Sequence, residues 1–189
     1  MNRIFYPLAL FAVAAMIAVL VLGLYLHGHD IRNPQDAEAQ RLATIHRLAG
    51  IAAGVCTLLV NSIVITYFVG TSRWVKEVSE TYRLENEYVR RSNRLKRKAF
   101  PIAVVSMLIV VGITALGGAA DPGSRFSRDL IDQFGEIVWA DVHFAAAAVG
   151  IGLIAVGFAL QWSQIIGNQT IIQEVMTEVG RIRRDRGLE

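Results

Sequence analysis

Apolar and polar positions divide the chain into long apolar runs separated by polar segments. Four runs contain no Asp, Glu, Lys or Arg, and they cover residues 4–26, 48–69, 99–120 and 143–166. A helix needs about 20 residues to cross about 30 Å of hydrocarbon, and each run is at least that long. The pattern therefore predicts an all-α integral membrane protein with four membrane-spanning helices.

Composition favours a membrane protein over a soluble one. The 189 residues are 53% hydrophobic and 19% charged, with a mean hydropathy of +0.42, whereas soluble domains carry about 25% charged residues. The first run is too long for the apolar core of a signal peptide, so we expect it to be retained as a helix. The single cysteine, Cys56, excludes an internal disulfide and a thiolate metal cage.

The basic residues predict the orientation of the spans. Arg3, nine basic residues in 73–98 and four in 181–186 account for most of the 19 Lys and Arg, and the other two connections hold five. Lys and Arg stay on the cytoplasmic side during insertion. We therefore expect a multi-pass protein of the bacterial inner membrane with both termini in the cytoplasm. The pI of about 9.3 then reflects orientation and attraction to anionic lipid, with no nucleic-acid partner.

Two polar segments are expected to continue spans into the cytoplasm. Segment 73–98 lacks proline and glycine and places apolar residues, Trp74 and Val78 among them, at helical spacing. This predicts one amphipathic extension of the second span, with Pro101 in the first turn of the third span. The chain after Gly167 has a similar pattern and predicts a shorter extension.

The chain also matches itself. An offset of 97 residues superposes His46 on His143, Gly70 on Gly167, Glu77 on Glu174 and Val78 on Val175. An offset of 94 superposes Pro7 on Pro101, Ala9 on Ala103 and Gly23 on Gly117. These matches predict two tandem helical-hairpin repeats, 1–98 and 99–189, packed as a four-helix bundle about an axis along the membrane normal.

All four histidines, His27, His29, His46 and His143, fall at the predicted outer ends of spans. Ionisable groups at membrane depth mark functional sites. The residues one and two turns after His46 and His143 are small, Gly50 among them. Small residues permit either close helix packing, as in the Gly50–Gly54 pair, or a slot for a flat macrocycle whose iron takes two imidazoles.

Two segments resemble a known family. "IHRLAGIAAGV" at 45–55 and "VHFAAAAVG" at 142–150 resemble the histidine-bearing spans in one four-helix half of haem A synthase-type membrane proteins. In that family such paired histidines lie toward the outer face and ligate haem. The family doubles the four-helix unit, has an acidic residue where Ala43 stands and often has an outer cysteine pair. The resemblance therefore implies a haem-carrying bundle without synthase chemistry.

The residues at this site have expected roles. His46 and His143 would be the axial ligands of a b-type haem, with Gly50 keeping the wall thin. Arg47 would bind a propionate, or else reach lipid headgroups. A second interpretation uses the four histidines, with Asp30 or Asp141, to hold zinc or copper.

The function predicted from sequence is a haem-b electron-transfer component, and a subunit of a larger membrane complex. The chain contains no phosphate-binding glycine loop, HExxH or nucleophile elbow, which favours an electron carrier or accessory subunit over a stand-alone enzyme. A structural scaffold subunit is the alternative, and a transporter comes third because the spans carry no deep charge. The expected partners are the lipid bilayer and other membrane subunits.

Overall fold

The computed structural model describes residues 1–27, 35–121 and 139–187, without the side chains of Asn2 and His27. These residues form four helices, which we name α1 (Asn2–His27), α2 (Ala37–Tyr82), α3 (Asn86–Ala120) and α4 (Trp139–Asp185). The described ranges contain no β-strand. The prediction of an all-helical fold is confirmed for these residues.

Each of the four helices is long and apolar enough to cross a membrane. Large apolar side chains point outward from the bundle, and Leu48, Leu108 and Val149 are 64%, 65% and 64% exposed. An outward apolar surface is expected of helices that contact lipid, because water contributes no driving force to their burial there.

The helices pack in chain order around a common core, and α2 and α4 also meet across it. Large residues from α1, α2 and α4 fill the middle of the bundle, where the rings of Phe5 and Phe158 meet edge to face with centroids 6.0 Å apart. The fully buried apolar residues of this core include Val60, Val64, Phe68, Ile154 and Ile165.

The two halves of the bundle bury corresponding positions. The buried residues Phe5, Ala9, Ala12 and Met16 of α1 correspond, at an offset of 94, to the buried Ala99, Ala103, Ser106 and Val110 of α3. Seven successive buried residues of α2 (Ala53, Gly54, Thr57, Val60, Asn61, Val64 and Phe68) correspond, at an offset of 97, to Gly150, Ile151, Ile154, Gly157, Phe158, Gln161 and Ile165 of α4. Each half thus turns equivalent faces toward the core.

Segment 73–98 is not one helix, and that prediction is wrong. The helix α2 ends at Tyr82, and Arg83 takes a left-handed conformation with φ 56° and ψ 44°. The backbone N–H of Arg83 and that of Leu84 both donate to the carbonyl of Ser79. The left-handed residue at a helix end is usually glycine or asparagine. Because arginine occupies that position here, the sequence does not indicate that the helix ends.

The helix α3 begins at Asn86, so Pro101 lies well inside it and not in a first turn. That prediction is also wrong. Proline removes one backbone hydrogen bond, to the carbonyl of Arg97, and tends to kink a helix. The helix continues because packing of its N-terminal half against α2 and α4 supplies the stability. The predicted boundary between residues 98 and 99 therefore falls within α3.

Beyond the start of α1 the bundle continues as three helices, which we name the extension (residues 70–98 and 167–185). Its buried apolar residues are Val75, Ile171, Val175 and Val179. The half-buried residues packed on them come from α2, α3, α4 and the turn at Leu84, with none from α1. The extension is therefore the one part of the described bundle that lacks a contribution from the first helix.

Candidate functional site

The structure brings His46 and His143 together at the end of the bundle opposite the extension. Their ring centroids lie 6.4 Å apart and the ring planes are inclined by 84°. His46 is in the first part of α2, which starts with a hydrogen bond from the backbone N–H of Ala39 to the side chain of Asp36. His143 lies near the start of α4. Both rings are half-buried between the helices.

Each imidazole lies against a glycine of the preceding helix. A Cβ at Gly23 would stand 2.8 Å from Cε1 of His46, and a Cβ at Gly117 would stand 3.1 Å from Cε1 of His143. Real Cβ atoms essentially never approach to 2.8 Å. Glycine at these two positions is what lets the rings occupy the space between the helices.

The Nδ1 atoms of both histidines are buried without a hydrogen-bond partner among the described residues. The ring of His46 also interacts with the backbone of Val19, and that of His143 with the backbone of Ile113. Neither contact gives Nδ1 hydrogen-bond geometry. A buried polar atom without a partner costs about 1–3 kcal/mol, so a small adjustment of each ring toward that backbone would be stabilising.

The spacing of the rings fits two ligands on one metal. Imidazoles that bind one ion from opposite sides, with metal–nitrogen distances of about 2 Å, have centroids roughly 6 Å apart. The observed 6.4 Å agrees with this. A ligating histidine usually donates its other N–H to a backbone carbonyl or carboxylate, and the backbone at Val19 and Ile113 is positioned for that role.

Arg47 and Gly50, the other predicted site residues, lie beside the pair but not between the rings. Arg47 forms an ion pair of 2.8 Å with Asp121 at the end of α3 and also donates to Thr44 Oγ1. Its guanidinium therefore has a carboxylate partner within the protein. A Cβ at Gly50 would lie 3.7 Å from Val19, an ordinary contact, so glycine is not required there.

Gly23 and Gly117 were missed as site residues, although the offset of 94 pairs them in the sequence. That offset identifies equivalent positions, but it does not show which helix faces the histidines. The contact became visible only from the packing of α1 on α2 and of α3 on α4.

The predicted zinc or copper site lies partly outside the described residues, because His29, Asp30 and the side chain of His27 are not described. Within the described ranges no cluster of three or more His, Cys, Asp or Glu residues could hold a metal ion.

Polar groups also occur in the middle of the bundle. Gln161 Nε2 donates to Asn61 Oδ1 at 2.9 Å, and Asn61 Nδ2 donates to the carbonyl of Thr57 at 2.9 Å. All three residues are fully buried. The bond from Gln161 to Asn61 joins α4 to α2, and a hydrogen bond between helices is worth about 0.6–2 kcal/mol in lipid.

Comparisons with known proteins give no relative for this chain. No protein-family model, no curated protein and no solved structure matches it. Its function must therefore be argued from the site.

Proposed function

We propose that the chain is a membrane-embedded electron-transfer component in which His46 and His143 ligate one b-type haem. The observation that carries the proposal is the pair of neighbouring imidazoles, whose ring centroids lie 6.4 Å apart. Haem supplies one-electron redox chemistry when bound. If His46 and His143 both hold the iron, the group would supply one-electron transfer and would not bind oxygen. Electron transfer is therefore the reaction class.

The surrounding residues support a flat apolar cofactor. Gly23 and Gly117 seat the imidazoles, and the backbone near Val19 and Ile113 could accept a hydrogen bond from each Nδ1 after a small adjustment of the rings. Arg47, held by Asp121, places a cation near the same end of the bundle.

The proposed location is a bacterial inner membrane, with all four helices crossing it. The basic residues concentrate at the extension and at Arg3, and the positive-inside rule puts that end in the cytoplasm. The histidine pair then lies near the outer face. The haem would exchange electrons with a partner on that side or within the membrane.

A tandem duplication accounts for the symmetry of the site. The pairs Gly23 with Gly117, Val19 with Ile113 and His46 with His143 follow the same two offsets, and each makes the equivalent contact in its own half. The matched burial of both hairpins supports the same origin. A parallel repeat of this kind has its axis along the membrane normal.

The proposal is tested by the absorbance of the purified chain in detergent, expressed with added haem and measured reduced minus oxidised. We expect Soret and α bands of a low-spin haem at one haem per chain. Either His46→Ala or His143→Ala should abolish the low-spin spectrum, and the double variant should lose the haem. The variants His27→Ala and His29→Ala serve as matched controls and should retain it. A folded chain that takes up no haem, or bands that survive the double substitution, would overturn the assignment.

A structural subunit is the second candidate, and the extension is the observation that favours it. Three helices project beyond the start of α1 with a core of their own around Val75 and Val175. Such a projection suits attachment to another protein. It is compatible with haem binding at the opposite end.

A further inference from the structure

Basic residues close to the apolar run of α3 differ from those further along the extension. Several basic residues of the extension form ion pairs with glutamates, among them Arg73, Arg90, Arg91 and Arg181. Three exposed basic residues just before the apolar run of α3 have no acidic partner among the described residues, and we name them the basic turn (Arg94, Arg97 and Lys98). Their charges are therefore available to a ligand.

The basic turn lies on one face of α3. Its members are three or four residues apart, and positions at that spacing share a helix face. The same face continues into the apolar run through Pro101, Val105 and Leu108, which are all exposed. Within the described ranges α3 contacts α2 and α4 but not α1. The exposure of this face is therefore set by the packing of α2 and α4 on α3.

The apolar part of this face has the length of one lipid leaflet. From Lys98 to Leu108 the chain advances about 15 Å, at 1.5 Å per residue of helix. Half of a hydrocarbon core of about 30 Å has the same length. A phospholipid lying along α3 would place its phosphate at the basic turn and an acyl chain against Val105 and Leu108.

We propose that the basic turn binds the headgroup of one anionic phospholipid of the phosphatidylglycerol type, whose acyl chain lies on the exposed face of α3. This inference rests on the proposed membrane crossing and not on the haem. Charge complementarity is the argument for this occupant, because arginine binds a phosphate through two parallel N–H groups. A zwitterionic headgroup carries its own cation beside the phosphate, so a headgroup with a net negative charge is favoured.

The positive-inside bias does not by itself require this arrangement. Basic residues anywhere near the cytoplasmic end of a span satisfy that bias, whichever helix face they lie on. The helix α4 gives the contrast, because residues 161–180 contain no Lys or Arg, although Leu160 just before them is 48% exposed. The outward face of α4 should therefore show no preference for anionic lipid.

The test measures which lipid contacts each face in phosphatidylcholine vesicles. In a Cys56→Ala background, Val105→Cys or Leu160→Cys carries a small fluorophore, and brominated phosphatidylglycerol or brominated phosphatidylcholine is the quencher. The contact between Gly157 and Ser106 places the two labels at similar depth. At residue 105 we expect phosphatidylglycerol to bind at least about fivefold more strongly than phosphatidylcholine, which is the contribution of about one cation near a lipid surface. At residue 160 the two lipids should quench equally.

Removing the charges should remove the preference. Arg97→Gln combined with Lys98→Gln should bring the ratio of the two binding constants at residue 105 close to one, whereas Lys98→Arg should retain the preference. Arg83→Gln combined with Arg186→Gln is the matched control, because it removes the same charge from exposed positions far from the basic turn, and it should leave the ratio unchanged. If circular dichroism shows that the double variant at 97 and 98 does not fold, Arg94→Gln alone should lower the ratio severalfold.

Equal quenching by the two lipids at residue 105 would overturn the proposal, and it is the outcome expected if the basic turn binds an acidic protein segment instead. A preference that survives the loss of both Arg97 and Lys98 would also overturn it. So would displacement of the lipid by inorganic phosphate when chloride of equal ionic strength has no effect, because the ligand would then be a free anion. If no brominated lipid quenches either label, the proposed membrane crossing fails as well. Haem absorbance is read separately, so the haem proposal stands or falls on its own.

Discussion

At the scale of the residue, two histidines and two glycines define the site. Two imidazoles lie side by side in an edge arrangement because Gly23 and Gly117 leave room for them, and a methyl group at either position would stand inside normal contact distance. Protein interiors are closely packed, so one extra carbon atom disturbs the packing. The glycines determine where the rings lie, and the chemistry proposed for this site would belong to the histidines.

Gly23→Ala should weaken haem binding and lower stability by about 1–3 kcal/mol, because its Cβ would press on the ring of His46. Gly117→Ala should have a smaller effect, since the corresponding distance is 3.1 Å and not 2.8 Å. Gly50→Ala is the control, and it should be neutral or stabilising by up to about 1 kcal/mol because its Cβ has ordinary contacts. Thermal unfolding and haem titration of the three variants measure this. Equal effects at all three positions would contradict it.

The turn after α2 depends on the backbone conformation of one residue, Arg83. Arg83 holds a positive φ of 56°, which costs a residue with a side chain roughly 1 kcal/mol. Arg83→Gly should therefore raise the unfolding free energy by about 0.5–1 kcal/mol, and Arg83→Val should lower it. Chemical denaturation in detergent measures both. A loss of stability in Arg83→Gly would show that the arginine side chain makes a contribution larger than the strain.

At the scale of the element, polar contacts join the helices at and near the extension. Asn168 of α4 donates to Thr71 Oγ1 at 2.9 Å and to the Tyr67 hydroxyl at 3.2 Å, and it accepts from Ser92. Arg91 binds Glu174 nearby. Ser92 also shares a hydrogen bond of 3.2 Å with Ser72 of α2, so the N-terminal half of α3 is tied to both neighbouring helices, which accounts for a helix that continues through Pro101.

The Arg91 to Glu174 pair should make the docking of α3 depend on pH. The hydrogen bond from Arg91 lowers the pKa of Glu174, more than partial desolvation raises it. Because the pKa of Glu174 is lower in the folded state than in the unfolded state, the pair stabilises the fold at pH values above the ordinary glutamate pKa. This stabilisation is lost as the pH falls through the lowered pKa of the folded state. Both side chains are about one-third exposed, so we expect less than about 1 kcal/mol after solvent screening.

Hydrogen exchange of residues 86–99 is the measurement for this pair. At neutral pH, Arg91→Ala and Glu174→Gln should each reduce protection of the segment by a similar amount, and the double variant should lose little more. At a pH below the Glu174 pKa the variants and the unchanged protein should converge. Glu77→Gln, which removes an exposed pair on one helix, is the control and should leave the segment's protection unchanged at both pH values.

The whole molecule is a bundle with different chemistry at its two ends. One end holds the histidine pair and the Arg47 to Asp121 ion pair, and the other projects three helices rich in basic residues. If the chain crosses the membrane and binds haem as proposed, the bundle connects an electron-transfer site at one face with the basic extension at the other. The long helices α2 and α4 run continuously between the two.

The prediction at the scale of the whole molecule concerns the orientation of the chain in the membrane. In a Cys56→Ala background, a cysteine at Glu38 should react with a membrane-impermeant thiol reagent applied to spheroplasts. A cysteine at Glu80 should react only after the membrane is opened. Both positions are exposed and lie on the same helix, α2, so accessibility within the protein does not explain a difference. The reverse pattern would invert the topology, and equal labelling at both positions would contradict a membrane span between them.

The sequence alone predicted the helical class, the four apolar helices and the two histidines worth attention. These features depend on run length and on the type of residue, which are local properties of the chain. The turn at Arg83 and the helical position of Pro101 escaped prediction, because each is stabilised by contacts from other helices that no local pattern contains.

Only the tertiary structure decided that the imidazoles meet, which glycines receive them and which basic residues have an acidic partner. The offsets in the sequence pair equivalent residues, but they do not orient one helix toward another. Helix rotation is set by the packing of all faces together, as the close approach of Gly23 and Gly117 to the rings shows. The physical reason is that a helix fixes the spacing of its own side chains, while its neighbours fix the direction in which they point.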